Sequence, residues 1–166
     1  IRLKREQMLH EADKLINYVF LDLFGNPATN PKRWPQMSMD QLGDVQGGVQ
    51  VSRKRESLPV QRPYLRVANV YRDRLWLDEI KTIGVTTGEF SRVELQTGDV
   101  LIVEGHGNPE EIGRAAVWDG SIKDCVHQNH LIRFRAKKSL VLPEYVSRML
   151  NSQGGRRQLI EAGRTT

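Results

Sequence analysis

Apolar side chains recur at helical spacing through the first two dozen residues. A helix over Arg2–Phe24 would collect these residues on one face: Met8, Ala12, Leu15, Ile16, Val19, Phe20 and Leu23. Gly25 and Pro27 then predict the helix end, because glycine accepts left-handed backbone and proline cannot continue a helix. The apolar stripe needs cover, from the chain's own core, from a second helix in a coiled coil or from another subunit. We predict assembly through four of its residues: Leu15, Ile16, Val19 and Phe20.

Beyond the helix, residues 26–35 hold three prolines, two asparagines and a tryptophan, which indicates an ordered connector and a domain boundary. From Gln36 onward the pattern changes to short branched and apolar runs bounded by turn residues. These runs predict strands at 65–70, 100–104, 115–118 and 131–134. The sequences Thr-Gly-Asp at 97–99 and Asp-Gly-Ser at 119–121 predict turns, the second as the tip of a hairpin.

Helical spacing returns near the end of the chain. Pro143 suits the first helical position, Glu144 suits the first turn, and a second short helix is predicted over residues 155–162. The predicted fold class is therefore mixed α/β: a mostly-β domain with a long N-terminal helix and a helical C-terminal segment. The predicted domain division is a spacer or coiled-coil-type helix at 1–25, followed by a domain at 26–166.

The chain has 166 residues, with 25 Lys and Arg against 20 Asp and Glu, a formal net charge of +5. Arginine outnumbers lysine, and its forked guanidinium suits phosphate and guanine, although the charge alone does not decide the partner. Cys125 is the single cysteine, which excludes an internal disulfide and a cysteine-based zinc site. We find no membrane-length apolar run and no secretory signal, so we expect a cytoplasmic protein. The start at Ile1 instead of Met fits a fragment of a longer protein.

Positively charged and aromatic side chains are interspersed over residues 53–76. This pattern is typical of segments that bind the phosphates of nucleic acids. We predict nucleic-acid contacts from Arg53, Lys54, Arg55, Arg62, Arg72 and Arg74, with Arg156 and Arg157 as a second backbone clamp. The first three lie in a segment bounded by glycine and proline, which we expect to be a free loop. The alternative is a solvated loop beside a strand whose arginines point outward.

The segment Glu-Gly-His-Gly-Asn-Pro at 104–109 directly follows a predicted strand. Two glycines around His106 allow an exposed loop that another molecule could approach closely. The imidazole could donate to a base edge or a phosphate, and Asn108 could make a two-point contact with adenine. The segment has the spacing of neither a phosphate-binding loop nor a dinucleotide fingerprint. The alternative is a plain strand connection.

The sequence offers little for metal binding or catalysis. His106, His127, His130 and Glu104 could in principle hold a metal, but His-x-x-His on an extended segment points its rings apart, so we predict no metal and a structural role for residues 127–130. No serine lies in a nucleophile elbow, and Cys125 lies in no nucleophile motif. Acidic pairs are explained by helix starts and solvated turns, and no methyl-donor motif is present. We therefore predict no catalytic residue and no cofactor. These absences favour a DNA-binding domain without catalytic activity. The alternative is a small restriction-type nuclease or DNA-modifying enzyme with its own active site, and a third possibility is a purely structural partner-binding domain.

Several short motifs together resemble one family. They are Phe-Leu-Asp-Leu-Phe-Gly-Asn-Pro at 20–27, Asn-Pro-Lys at 30–32 with Trp34, Tyr-Leu-Arg-Val-Ala-Asn-Val at 64–70, Gly-Asp-Val-Leu-Ile at 98–102, Gly-Arg-Ala-Ala-Val at 113–117, Asn-His-Leu-Ile-Arg at 129–133 and Gly-Arg-Thr-Thr at 163–166. In this order they are similar to a target-recognition domain of type I restriction-modification specificity subunits.

The resemblance implies a subunit with two such domains held apart by long antiparallel helices, each domain reading one half of a split DNA target. It implies double-stranded DNA, methyltransferase subunits and restriction subunits as partners, and it carries over no catalytic residue. The chain departs from the family in its length, because it holds one such domain and no outgoing helix.

Overall fold

A computed structural model describes the backbone of residues 2–163 and the side chains of residues 4, 7, 8 and 11–161. The described residues form a mixed α/β fold, which confirms the predicted fold class. They divide into two compact units, one of residues before Met37 and after Asn151, and the other Met37–Asn151. The predicted functional division at residue 26 stays a prediction. Arg164, Thr165 and Thr166, at the end of the family resemblance, lie outside the described residues.

The first unit contains the long helix α1, Arg2–Phe24, as predicted. Gly25 ends it at a φ of +80°, and the Gly25 amide donates to the Leu21 carbonyl at 2.8 Å. The connector completes this end, because Lys32 Nζ donates to the Leu23 carbonyl at 2.9 Å and Trp34 Nε1 donates to the Phe24 carbonyl at 3.0 Å. The proline-rich connector is thus an ordered cap for carbonyls that a helix end leaves unpaired.

The remaining helices are α2, Met39–Leu42; α3, Thr87–Val93; α4, Pro143–Asn151; and α5, Gln153–Gly163. The start of α4 at Pro143 agrees with the prediction, and α5 includes the predicted residues 155–162. Thr86 caps α3 by accepting from the Glu89 amide, while the Glu89 carboxylate accepts from the Thr86 amide. None of the described helices is both long and apolar enough to cross a membrane.

The second unit contains the strands. They are β1, Gly43–Gly47; β2, Gln61–Leu65; β3, Val70–Tyr71; β4, Arg74–Leu75; β5, Lys81–Gly84; β6, Val100–Val103; β7, Ala115–Val117; β8, Val126–His127; and β9, Leu131–Ala136. An antiparallel sheet has the order β1-β9-β6-β7, a second sheet has the order β5-β2-β8, and β3 pairs with β4 as a hairpin. In the second sheet β8 runs parallel to β2, with Leu65 opposite His127.

The core lies between the faces of these sheets. One cluster packs Trp118 and Cys125 with the following buried side chains: Leu65, Val70, Leu95, Leu101, Val103, Ala116 and Leu131. A second cluster lies beneath β2, β5 and α3 and includes Tyr64, Ile83 and Val93. Strand β6 is apolar throughout and contributes Leu101 and Val103 to the first cluster, and β9 contributes Leu131.

Ion pairs tie the four-stranded sheet to the turn before β6. Asp99, 1% exposed, accepts from Arg135 Nε at 2.7 Å and from Arg135 Nη2 at 2.8 Å. It also accepts from the Gln96 amide at 2.7 Å, and Arg133 pairs with Asp44 across β9 and β1. Buried charges are stable only when paired and hydrogen-bonded, so this network holds the sheet in one arrangement.

Two predictions about the strands are wrong. The run 65–70 is not one strand, because Val67–Asn69 forms a 3₁₀ turn. The cause is Asn69, whose side chain accepts from the Arg66 amide at 2.9 Å and donates to the Trp76 carbonyl at 2.8 Å. Residues 119–121 are not a hairpin tip either. The Ser121 amide donates to Asp119 Oδ1 at 3.0 Å, but β7 pairs with β6 whereas β8 pairs with β2.

Candidate nucleic-acid interface

The loop between β6 and β7, residues 104–114, carries the predicted readers His106 and Asn108 on an exposed surface. Its closing residue Gly113 has a φ of +81° and donates its amide to the Val103 carbonyl at 2.8 Å. Within the loop, Pro109–Glu111 forms a 3₁₀ turn capped by Asn108, whose Oδ1 accepts from the Glu110 amide at 3.0 Å. The segment is therefore an ordered loop.

His106 is held within this loop through one of its two ring nitrogens. Its Nδ1 lies 3.0 Å from the backbone nitrogen of Asn108 and 3.3 Å from the backbone carbonyl oxygen of Asn108. Nε2 is therefore the ring nitrogen that could reach a base edge or a phosphate. The Asn108 side chain uses its Oδ1 as the cap. Its Nδ2 is therefore the side-chain atom of this exposed residue that remains for another molecule.

The two flanking glycines do not have the backbone that makes a glycine obligatory. Neither Gly105 nor Gly107 is among the glycines with positive φ. A Cβ added to Gly107 would meet no other atom within 4 Å, so the loop backbone is open on that side. The expectation that another molecule can approach closely here stays a prediction, and the open backbone at Gly107 agrees with it.

The hairpin β3–β4 brings Arg72 and Arg74 to the same surface. Arg72 Nη2 donates to the Glu110 carbonyl in the β6–β7 loop at 2.8 Å. The Arg74 guanidinium lies 5.5 Å from the centroid of the Tyr71 ring, and Arg114 lies 5.1 Å from the same centroid. Four predicted contact residues, Arg72, Arg74, His106 and Asn108, are thus brought together although more than thirty positions separate the two segments in sequence.

The charge on this surface is partly balanced by Glu111. Its carboxylate accepts from Arg114 Nη1 at 2.6 Å, and this hydrogen bond lowers the pKa of Glu111, with smaller contributions from the charges of Arg72 and His106. Arg114 is buried and also donates to the Val67 carbonyl at 2.8 Å. The carboxylate therefore stays ionised and keeps these basic side chains close to one another.

Arg53, Lys54 and Arg55 occupy a different place. The expected free loop is wrong, because Arg53–Ser57 forms a 3₁₀ helix. Arg55 anchors it by donating to both carboxylate oxygens of Glu89, at 2.7 and 3.0 Å, and to the Gly84 carbonyl at 3.1 Å. The bond from Arg55 lowers the pKa of Glu89 to about 2. Arg53 and Lys54 remain exposed, whereas the guanidinium of Arg55 is committed to the fold.

The remaining predicted contacts are dispersed. Arg62 lies over the Phe90 ring at 5.0 Å and 3.6 Å from Asp124, so it is partly engaged within the protein. Arg156 and Arg157 lie on α5 in the other unit, where Arg157 Nε pairs with Glu161 at 2.8 Å. The structure therefore brings four of the ten predicted residues into one surface. The contact of all ten with DNA stays a prediction.

His127 has the structural character that was predicted, whereas the role of His130 stays a prediction. His127 is buried in β8, and its Nδ1 lies 3.0 Å from the Leu131 carbonyl. Burial lowers the pKa of His127 to about 4, so its ring is neutral at pH 7. His130 is exposed and lies beside Gly105. Among the side chains that the structure describes, no group of three or more potential metal ligands lies together.

Cys125 is buried, and its burial raises the pKa of the thiol to about 12. The thiolate form is therefore scarce at neutral pH, which makes this side chain a poor nucleophile. It contributes to the core next to Trp118 and Leu65.

Arg114 and Asp73 also lie at this surface and were not predicted from the sequence. Asp73 forms the β3–β4 turn at a φ of +55° and accepts from Ser147 Oγ at 2.7 Å and from Arg148 Nη1 at 2.9 Å. Aspartate tolerates left-handed turns, so Arg72-Asp73 between two short strands was a usable turn signal. The role of Arg114 depends on contacts across 47 positions, which no local pattern reveals.

No family model matches this chain. A search of curated proteins finds the Type I restriction enzyme EcoKI specificity subunit of Escherichia coli (strain K12), which is 30% identical over 130 residues, 75% of this chain. The match covers 26% of that protein, so the chain spans about a quarter of the length of this relative. The similarity supports a place for the chain among type I restriction enzyme specificity subunits.

Proposed function

We propose that this chain is a DNA target-recognition module of a type I specificity subunit. The observation that carries the proposal is the 30% identity over 130 residues to such a subunit. In this proposal the chain reads one half of a bipartite target in double-stranded DNA and has no catalytic residue of its own. Methyltransferase and restriction subunits are its proposed protein partners, and the cytoplasm is its proposed location.

The chemistry of the β6–β7 loop and the neighbouring hairpin supports this role. Sequence is read by donors and acceptors that reach base edges, whereas phosphate contacts set position and add affinity. His106 offers Nε2 and Asn108 offers its side-chain Nδ2, both on an exposed loop. We assign base reading to these two residues and phosphate contact to the exposed cations Arg53, Lys54 and Arg74.

Salt dependence provides the experiment for this proposal. Replacing both Arg53 and Lys54 with Ala should flatten the slope of log affinity against log salt, by about 0.9 for each phosphate that the protein no longer neutralises. Both side chains are exposed, so the fold should survive. The measurement is fluorescence anisotropy with a labelled duplex over a series of salt concentrations.

A matched pair of lysines provides the control. Lys14 and Lys138 are also exposed, and replacing both with Ala removes the same charge from other surfaces. The slope should then stay at the wild-type value. An equal change in both double variants would mean that only net charge acts, and an unchanged slope in the first would remove Arg53 and Lys54 from the interface.

The exposed stripe of α1 supports the proposed assembly role. Leu15, Ile16 and Val19 are 63%, 39% and 45% exposed, whereas Phe20 is buried beside Phe24, with ring centroids 5.1 Å apart. The first three therefore still need cover, and Phe20 already has it within this chain. An exposed apolar strip of this kind favours a second helix, from another copy or from a partner subunit.

Replacing Ile16 and Val19 with Asp should abolish self-association, because the charges would have to enter an apolar helix interface. Multi-angle light scattering at several protein concentrations measures the mass. Tyr18→Asp with Leu21→Asp is the control, since these side chains are also exposed and apolar but lie off the stripe. If a dimer survives the stripe substitutions, a different surface holds it.

A further inference from the structure

The turn that carries Arg72 is fixed to the body of the second unit. The Asp73 amide donates to the Ala115 carbonyl at 2.8 Å, and the Asp73 carboxylate accepts from Ser147 Oγ and Arg148 Nη1 on α4. In addition, the side chain of Asn151 donates to the Ala115 carbonyl at 2.8 Å and accepts from the Ala115 amide at 3.0 Å. The backbone beside Arg72 therefore has a defined place relative to β7 and α4.

From this fixed point, Arg72 reaches across to the β6–β7 loop. Its Nη2 donates to the backbone carbonyl of Glu110 at 2.8 Å. Glu110 is the middle residue of the 3₁₀ turn that Asn108 caps, and the Asn108 amide in turn donates to His106 Nδ1. One guanidinium thus holds the backbone on which both predicted base-reading side chains are mounted.

Arg74, two positions further along the same hairpin, is placed differently. Its side chain is exposed and lies over the Tyr71 ring at 5.5 Å, and it makes no hydrogen bond to any residue that the structure describes. A guanidinium resting on an aromatic face keeps all its N–H groups available to a bidentate acceptor. The two arginines therefore have the same charge and lie on the same hairpin, but only the guanidinium of Arg72 donates a hydrogen bond to the β6–β7 loop.

We propose that Arg72 is a positioning residue for base reading, which holds the β6–β7 loop so that His106 and Asn108 face the DNA, and that Arg74 is the arginine of this hairpin that contacts a phosphate. The proposal rests on the DNA-reading function above. The proposal gives different roles to two arginines that look equivalent in the basic run of the sequence.

The experiment compares Arg72→Ala with Arg74→Ala in the full chain by hydrogen exchange without DNA. The Glu111 amide donates to the Asn108 carbonyl and the Ile112 amide to the Pro109 carbonyl, so both report on the 3₁₀ turn. In Arg72→Ala these two amides should exchange about tenfold faster, while amides of β6 keep the wild-type rate as an internal standard. In Arg74→Ala all of these rates should stay unchanged.

The same variants are then measured on DNA, using a duplex enriched from a random pool and a shuffled duplex of the same composition. Arg72→Ala should lower the affinity ratio of the enriched to the shuffled duplex by about tenfold, as His106→Ala should, and leave the salt slope unchanged. Arg74→Ala should weaken both duplexes equally and reduce the slope by about 0.9. Arg72→Ala should thus change only the affinity ratio, and Arg74→Ala only the salt slope. A general loss of stability would not produce this difference between the two variants.

Three outcomes would overturn the inference. The exchange rates of Glu111 and Ile112 could stay unchanged in Arg72→Ala, the salt slope could fall in that variant, or the affinity ratio could fall in Arg74→Ala. Each leaves the DNA-reading function intact if the unchanged chain still discriminates between the duplexes. If the unchanged chain binds no DNA, the proposed function fails together with the assignments of Arg72 and Arg74 to DNA.

Discussion

Replacing Asp99 with Ala should destabilise the second unit by about 2–3 kcal/mol, because it removes the buried partner of an ion pair whose other member, Arg135, is 31% exposed. Asp99 is 1% exposed and takes two hydrogen bonds from Arg135 and one from the Gln96 amide. Its loss leaves the positive charge of Arg135 without its carboxylate, next to the buried Arg133. Urea denaturation followed by circular dichroism measures the change in the free energy of unfolding.

Glu79→Ala is the matched control for this prediction. Glu79 is also paired, with Arg66 at 3.3 Å and with Lys81 at 3.6 Å, but its side chain is 68% exposed. Exposed pairs contribute about 0–1 kcal/mol, so this variant should unfold close to the wild-type urea midpoint. Equal losses in the two variants would contradict the interpretation of the Asp99 network as a buried one.

Acidification from pH 7 to pH 5 should lower the free energy of unfolding by about 2 kcal/mol through His127 alone. Burial lowers the pKa of this histidine from 6.5 to about 4. Between these values the unfolded chain binds a proton that the folded chain does not, so stability falls as the pH falls. The Nε2 atom is buried without a hydrogen-bond partner among the described residues, and a proton there would have no acceptor.

The range from pH 7 to pH 5 separates His127 from Glu89. Because the pKa of Glu89 is lowered from 4.5 to about 2, its stabilisation is present above pH 4.5 and is lost only below that value. His127→Leu should therefore flatten the dependence between pH 7 and pH 5, whereas His130→Gln, a change at an exposed histidine, should preserve it. A dependence that persists in His127→Leu would assign the proton uptake to another group.

The elements that local sequence predicts well are those whose causes are local. Gly25 and Pro27 predict the end of α1, and Pro143 predicts the start of α4, because these residues restrict the backbone wherever they occur. The conformation of the residues between strands was harder to predict, because Asn69 forms its turn through hydrogen bonds to residues up to ten positions away. The parallel pairing of β8 with β2 joins segments that are distant in sequence and that carry no pairing signal.

The candidate site shows the same division. The exposed loop with His106 and Asn108 follows from two glycines and a proline after a strand. Whether an arginine is available to DNA depends on long-range contacts: Arg55 meets Glu89 across 34 positions, and Arg72 meets Glu110 across 38. In the sequence both are simply basic residues. Only the three-dimensional structure distinguishes guanidinium groups that are hydrogen-bonded within the protein from those that are available to DNA.

Selection from a random duplex pool tests whether this chain recognises a DNA sequence. The chain is incubated with the pool at low salt, bound duplexes are recovered and sequenced over several rounds, and the enriched sequences are aligned. One short sequence should become enriched, because base-edge contacts discriminate by about 1–3 kcal/mol at each position read. Retention of duplexes without any common sequence would show that the chain contacts phosphates only and does not recognise a sequence.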